Sequence, residues 1–146
     1  MRQCTSMSAW EAGLAVDIAG ARVGGNVLAG AMNGQMALKP DGAAHMIAYI
    51  VGAQYTMGPT TIGGSYMNIV SAGAAAASGA PLGSQRRGAG GQIGGTYVIG
   101  PGLISYLSAV YGQRYQGGVN LNTGLLSPAA NNVKVLAAEL GFYVRW

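Results

Sequence analysis

The stretch Leu136 to Trp146 reads LAAELGFYVRW. Its even positions carry Leu136, Ala138, Leu140, Phe142, Val144 and Trp146. Its odd positions carry Ala137, Glu139, Gly141, Tyr143 and Arg145. One set is apolar throughout; the other is polar or small. Side chains of a strand alternate between two faces, so this pattern predicts a β-strand with one greasy face. The segment 10–19 repeats it, with Trp10, Ala12, Leu14, Val16 and Ile18 against Glu11, Gly13, Ala15, Asp17 and Ala19. In segment 44–57, Ile47, Tyr49, Val51, Ala53, Tyr55 and Met57 share one parity, and Gln54 and Thr56 take the other.

Punctuation extends the reading along the chain. GAQYTMGP (52–59) and GGTYVIGP (94–101) both fit G-x-x-Y-x-x-G-P and lie 42 residues apart, 100 minus 58. A period of that size marks a repeated supersecondary unit. Short breaks at Gly20, Gly58-Pro59 and Gly100-Pro101-Gly102 alternate with longer polar or small-residue connections at 33–43, 72–85 and 117–131. Seven strands are predicted, at 10–19, 21–32, 44–57, 60–71, 86–99, 102–116 and 132–146. In 60–71 and 102–116 the alternation is too weak to assign a face. The repeated unit is then two strands, one long connection and one tight turn. Residues 1–9 are expected to be a poorly ordered or non-native start, and 10–146 one β domain.

Composition narrows the class. The chain has 26 glycines among 146 residues, against a usual ~7%. Glycine in a helix interior costs about 1 kcal/mol each, which argues against a helical protein. Mean hydropathy is +0.29, yet every long apolar stretch is broken by glycine or polar residues. A closed barrel of strands is the remaining way to cross a bilayer. No apolar leader segment precedes the first strand. The eight basic residues are scattered, and Arg86-Arg87 is the one basic pair, so no nucleic-acid face is expected. One cysteine, Cys4, and one histidine, His45, offer no metal-ligand spacing. Four carboxylates stand apart, and no catalytic constellation appears. No cofactor, no metal and no enzymatic activity are expected. The string Gly88 to Gly91 precedes no predicted helix and reads as small side chains on a closely packed strand.

The chain end carries Glu139-x-Gly141-x-x-Val144-x-Trp146. This resembles the C-terminal assembly signal of bacterial outer-membrane proteins. Together with YTMGPTTIGGSY (55–66), TYVIGPGLISYLSAVYGQRYQGG (96–118) and NNVKVLAAELGFYVRW (131–146), it resembles the C-terminal portion of Gram-negative general porins of alphaproteobacterial type. The resemblance implies an all-β, antiparallel up-and-down transmembrane β-barrel in the bacterial outer membrane. It implies a water-filled channel for passive diffusion of small hydrophilic solutes and ions. It also implies contact with outer-membrane lipid and the barrel-assembly machinery, and a homotrimer for the full-length parent. At roughly 21 residues per strand, a 16-stranded barrel needs about 340 residues, so the expectation is about seven C-terminal strands of such a barrel.

Parity nominates Glu11, Asp17, Arg22, Asn26, Gln54, Thr56, Gln92, Thr96, Arg114, Glu139, Tyr143 and Arg145 as pore-lining. Tyr55 and Tyr97, each three residues before a turn glycine, are expected in an aromatic girdle. Gly141, Phe142, Val144 and Trp146 form the candidate assembly signal. Two further architectures fit the alternation. One is a small eight-stranded structural or adhesin-like outer-membrane barrel; the other is a soluble β-meander.

Overall fold

A computed structural model of the chain describes residues 6–32, 44–72, 86–117 and 131–145. It contains β1 (Ala9–Ile18), β2 (Ala21–Gly30), β3 (Met46–Met57), β4 (Thr60–Ser71), β5 (Arg86–Gly100), β6 (Leu103–Gln116) and β7 (Asn131–Val144). They form one sheet in chain order, every neighbouring pair antiparallel. The sheet is all-β and up-and-down, and it is not closed: β1 and β7 are edges.

The tight turns follow from local chemistry. Ala19 (φ 48°) and Gly20 (φ 84°) both take positive φ, the signature of a two-residue type I′ hairpin. Gly58 (φ 56°) stands first in its turn and Pro59 second, which is the type II′ order. At the third turn Pro101 comes first and Gly102 (φ 77°) second, the type II order. Gly100 is still paired in β5 there, after a register irregularity between Val98 and Gly100. The two copies of G-x-x-Y-x-x-G-P therefore reverse the chain in different ways.

The turns also climb. The last pair of the first hairpin is Ile18–Ala21, and Ala21 pairs onward with Tyr55. The second hairpin runs two residues past Tyr55, to Met57–Thr60. Thr60 pairs with Tyr97, and the third hairpin runs two pairs past it, to Gly100–Leu103. The step is thus one residue per strand. At ~3.4 Å per residue and ~4.8 Å between strands, that is a slope of about 35°. Strands of closed barrels tilt by roughly this amount. At each step the exposed turn carbonyl is taken by the next strand: Thr56 N–H donates to Gly20 O (2.9 Å), Val98 N–H to Pro59 O (2.9 Å), and Arg145 N–H to Gly102 O (2.7 Å).

Among the described residues no packed core lies under either face. Buried apolar side chains are Ala29, Ala31, Met32, Met46 and Ala72, all near the long connections. Leu14, Ile18, Ile93, Leu136 and Leu140 are each at least two-thirds exposed. The accessible surface is 9689 Å², against about 6,900 Å² expected for a globular monomer of this mass.

Candidate pore-lining face

Register sorts every described strand residue onto one of two faces. The sheet curls so that residues from all seven strands line a single trough of about 830 Å³. Arg22, Gln54, Thr96, Ser108, Glu139 and Tyr143 are among them. Ladder partners join these residues in rows. One row reads Asp17, Arg22, Gln54, Gly63, Gly94, Ser108, Glu139. The next row toward the turns reads Thr56, Thr61, Thr96, Tyr106, Gly141.

Contacts within the trough are cross-strand. Arg22 Nε lies 3.7 Å from Asp17 Oδ1, with both side chains more than half exposed. Asn26 Nδ2 donates to Glu11 Oε1 (2.5 Å), reaching diagonally past the bare backbone of Gly13. Ser108 Oγ donates to Glu139 Oε1 (2.9 Å), and the Thr56 and Thr61 hydroxyls meet at 3.0 Å. Tyr106 and Tyr143 stack at 4.8 Å, and Gly141 gives Tyr106 its place, since a Cβ there would fall on the Tyr106 ring. Of the three carboxylates in the described residues, only Asp17 takes an arginine; Glu11 and Glu139 take neutral donors.

Eleven of the twelve side chains nominated by parity lie on this concave face: Glu11, Asp17, Arg22, Asn26, Gln54, Thr56, Gln92, Thr96, Arg114, Glu139 and Tyr143. Arg145 lies one residue beyond β7. Thr61, Ser65, Tyr106 and Ser108 share the concave face, although strand-by-strand parity does not find them. They sit on β4 and β6, where the alternation is weak. The signal that locates them is the ladder partner, which a single strand does not display.

The convex face is the opposite in chemistry. On β1 its apolar run extends from Trp10 to Ile18; on β7 it extends from Leu136 to Val144. Both runs are nine residues long, but Trp10 shares a row with Asn132, and Ile18 shares a row with Leu140. The apolar band therefore slips four residues across the sheet, in the same sense as the turns. Aromatics border it along the same slope. Trp10, Tyr49, Tyr66 and Tyr111 follow the side of the long connections, and Tyr55, Tyr97 and Phe142 the side of the turns; Tyr115 stands outside this border, in the row of Trp10. Tyr97 stands one row beyond Tyr55 in the ladder, which is the displacement the slope requires. Phe142 and Val144 are convex, Gly141 is concave, and Trp146 lies outside the described residues. No protein-family model matches the chain, and neither a curated protein nor a solved structure matches it.

Proposed function

We propose that the chain forms part of the wall of an outer-membrane porin, whose water-filled interior passes small hydrophilic solutes and ions by passive diffusion. The observation that supports this most is the oblique apolar band. A nine-residue run at ~3.4 Å per residue, tilted by about 35°, stands about 22 Å tall, close to the ~25 Å apolar band of a membrane barrel. Aromatic borders belong at the two water boundaries of such a band. A soluble meander has no use for a band that slopes with its own turns. In this reading lipid covers the convex face and the trough lines the channel. The barrel-assembly machinery reads the C-terminal sequence that carries Val144 and Trp146, and the complete barrel assembles as a trimer.

Closure sets a further condition. An unpaired strand edge in hydrocarbon leaves donors and acceptors unsatisfied, at several kcal/mol each. β1 and β7 run in the same direction, being separated by six antiparallel steps. Antiparallel closure therefore takes an odd number of additional strands between them. A second copy of these seven, placed around a common barrel axis, would meet both edges in parallel. That disfavours a barrel of two copies.

The test is an accessibility scan in membranes of cells producing the protein, with Cys4 replaced by serine. Single cysteines at 91 to 96 carry an environment-sensitive fluorophore. Positions 91, 93 and 95 are expected to respond to a lipid-borne quencher, and 92, 94 and 96 to a water-soluble one. The extracted protein is expected to give single-channel steps that a charged thiol reagent reduces at Gln54→Cys but not at Ile93→Cys. Uniform aqueous quenching across 91 to 96 would overturn the reading.

A further inference from the structure

The charges of the described strands are divided unevenly between the two faces. All three carboxylates, Glu11, Asp17 and Glu139, are concave, with Arg22, Arg86 and Arg114. The convex face carries two charges, Arg87 on β5 and Lys134 on β7, and both are cations. Both stand on the side of the long connections, just outside the apolar band where it has slipped toward the turns. Both are exposed, and neither makes an ion pair with a described residue.

Their spacing converges on one spot. Arg87 pairs with Tyr115, and Gln113, two residues along β6, pairs with Lys134. The two cationic residues are thus one strand apart on either side of β6 and one row out of step, about 12 Å between Cα atoms. Two long side chains can close that gap on a single anion. Gln113 lies between them, and its Oε1 accepts from the Tyr111 hydroxyl at 3.4 Å, while its Nε2 donor has no partner among the described residues. A guanidinium fork, an ammonium and an amide donor suit the several oxygens of a phosphate.

We propose that Arg87, Lys134 and Gln113 form a site for the phosphate of a lipid headgroup in the leaflet on the side of the long connections. The proposal rests on the lipid-facing reading of the convex face. Position selects the source. The cations border the apolar band directly, at the depth where a lipid bound to that band presents its phosphate.

The protein extracted from producing membranes, with Cys4 replaced and a bimane at Leu136→Cys or, as a second reporter, Ala89→Cys, both convex and next to the two cations, is reconstituted in phosphatidylcholine vesicles. Quenching by brominated phosphatidic acid is compared with quenching by brominated phosphatidylcholine. At about fivefold per cation, the two together are expected to give about a twenty-five-fold preference for phosphatidic acid. Arg87→Gln with Lys134→Gln should abolish it, and Arg86→Gln with Arg114→Gln on the concave face should leave it intact. A preference that is absent, that survives the convex pair, or that falls equally with the concave pair overturns the proposal and leaves the barrel reading standing. Displacement of the brominated lipid by millimolar inorganic phosphate would make this a site for the free ion and also overturn it. If neither brominated lipid quenches either reporter, the lipid-facing reading fails, and this site with it.

Discussion

The two faces of this sheet share one backbone and one register, yet they follow different rules. The convex face holds most of the large exposed apolar side chains, and its two charges stand at one margin. The concave face mixes carboxylates, arginines, amides and hydroxyls with glycine and a few aliphatic residues. Water suits the second face and not the first. What distinguishes a membrane wall from a loosely packed soluble sheet is therefore an asymmetry of tolerance, and adjacent residues on opposite faces measure it.

Ile93 and Gln92 offer the largest contrast. Ile93 is convex, near the middle of the band on β5, and 70% exposed in the isolated chain. If the convex face meets lipid as proposed, Ile93→Arg puts a charge into hydrocarbon and is expected to cost about 2–4 kcal/mol of folding stability in lipid. Gln92→Arg, one residue earlier and facing water, is expected to stay within about 0.5 kcal/mol. Urea titration of the reconstituted protein, followed by loss of heat-modifiable mobility, reads both. Equal costs at the two positions would break the comparison.

Strand positions were legible in the sequence because each strand has a wet side and a greasy side, and alternation records that directly. All seven appear, with ends within two residues of expectation. Facing failed on β4 and β6 for a physical reason. β4 carries Asn68 on its convex face and Met67 and Ile69 on its concave one; β6 has Ser105 and Gln113 convex and Ile104 and Val110 concave. Asn68 and Gln113 lie on the long-connection side of Tyr66 and Tyr111, where the oblique band has already passed, so they need not be apolar; Ser105, in the row of Tyr97 and Phe142, has no such account. The slope itself is a relation between strands and has no trace in any one of them. The same limit hid the difference between the two Gly-Pro turns, which depends on a register irregularity near Ile99.

A middle-sized effect is expected within the concave face, where two glycines do different jobs. A Cβ at Gly141 would come within 2.5 Å of the Tyr106 hydroxyl and 2.6 Å of its ring. Gly141→Ala should therefore push Tyr106 off Tyr143 and cost about 1 kcal/mol, with loss of near-ultraviolet dichroism from the stacked rings. A Cβ at Gly112 meets nothing within 4 Å. Gly112→Ala should be neutral, or stabilise by about 0.5 kcal/mol by restricting the unfolded chain. Equal losses at both would mean that glycine serves backbone curvature on this face rather than room for the tyrosine.

The smallest effect on stability is expected at Arg22, and it is the one that speaks to conduction. Its contact with Asp17 is 3.7 Å long and exposed, a geometry worth little in water. Arg22→Gln is expected to change stability by less than about 0.5 kcal/mol. The row it belongs to, however, carries Asp17, Arg22 and Glu139, one positive charge against two negative, a net of −1. Removing Arg22 takes that row to −2. Exposed charges in a channel act on passing ions even when they contribute nothing to folding, because charge lining a narrow aqueous path sets the local counter-ion concentration. The reversal potential in a potassium chloride gradient should move toward cation preference in Arg22→Gln and toward anion preference in Asp17→Asn. Both shifts should shrink in high salt, as screening shortens the reach of each charge. Opposite shifts at unchanged stability would tie the concave face to the ion path. A variant that loses stability without moving the reversal potential would place Arg22 in the structure and outside the channel.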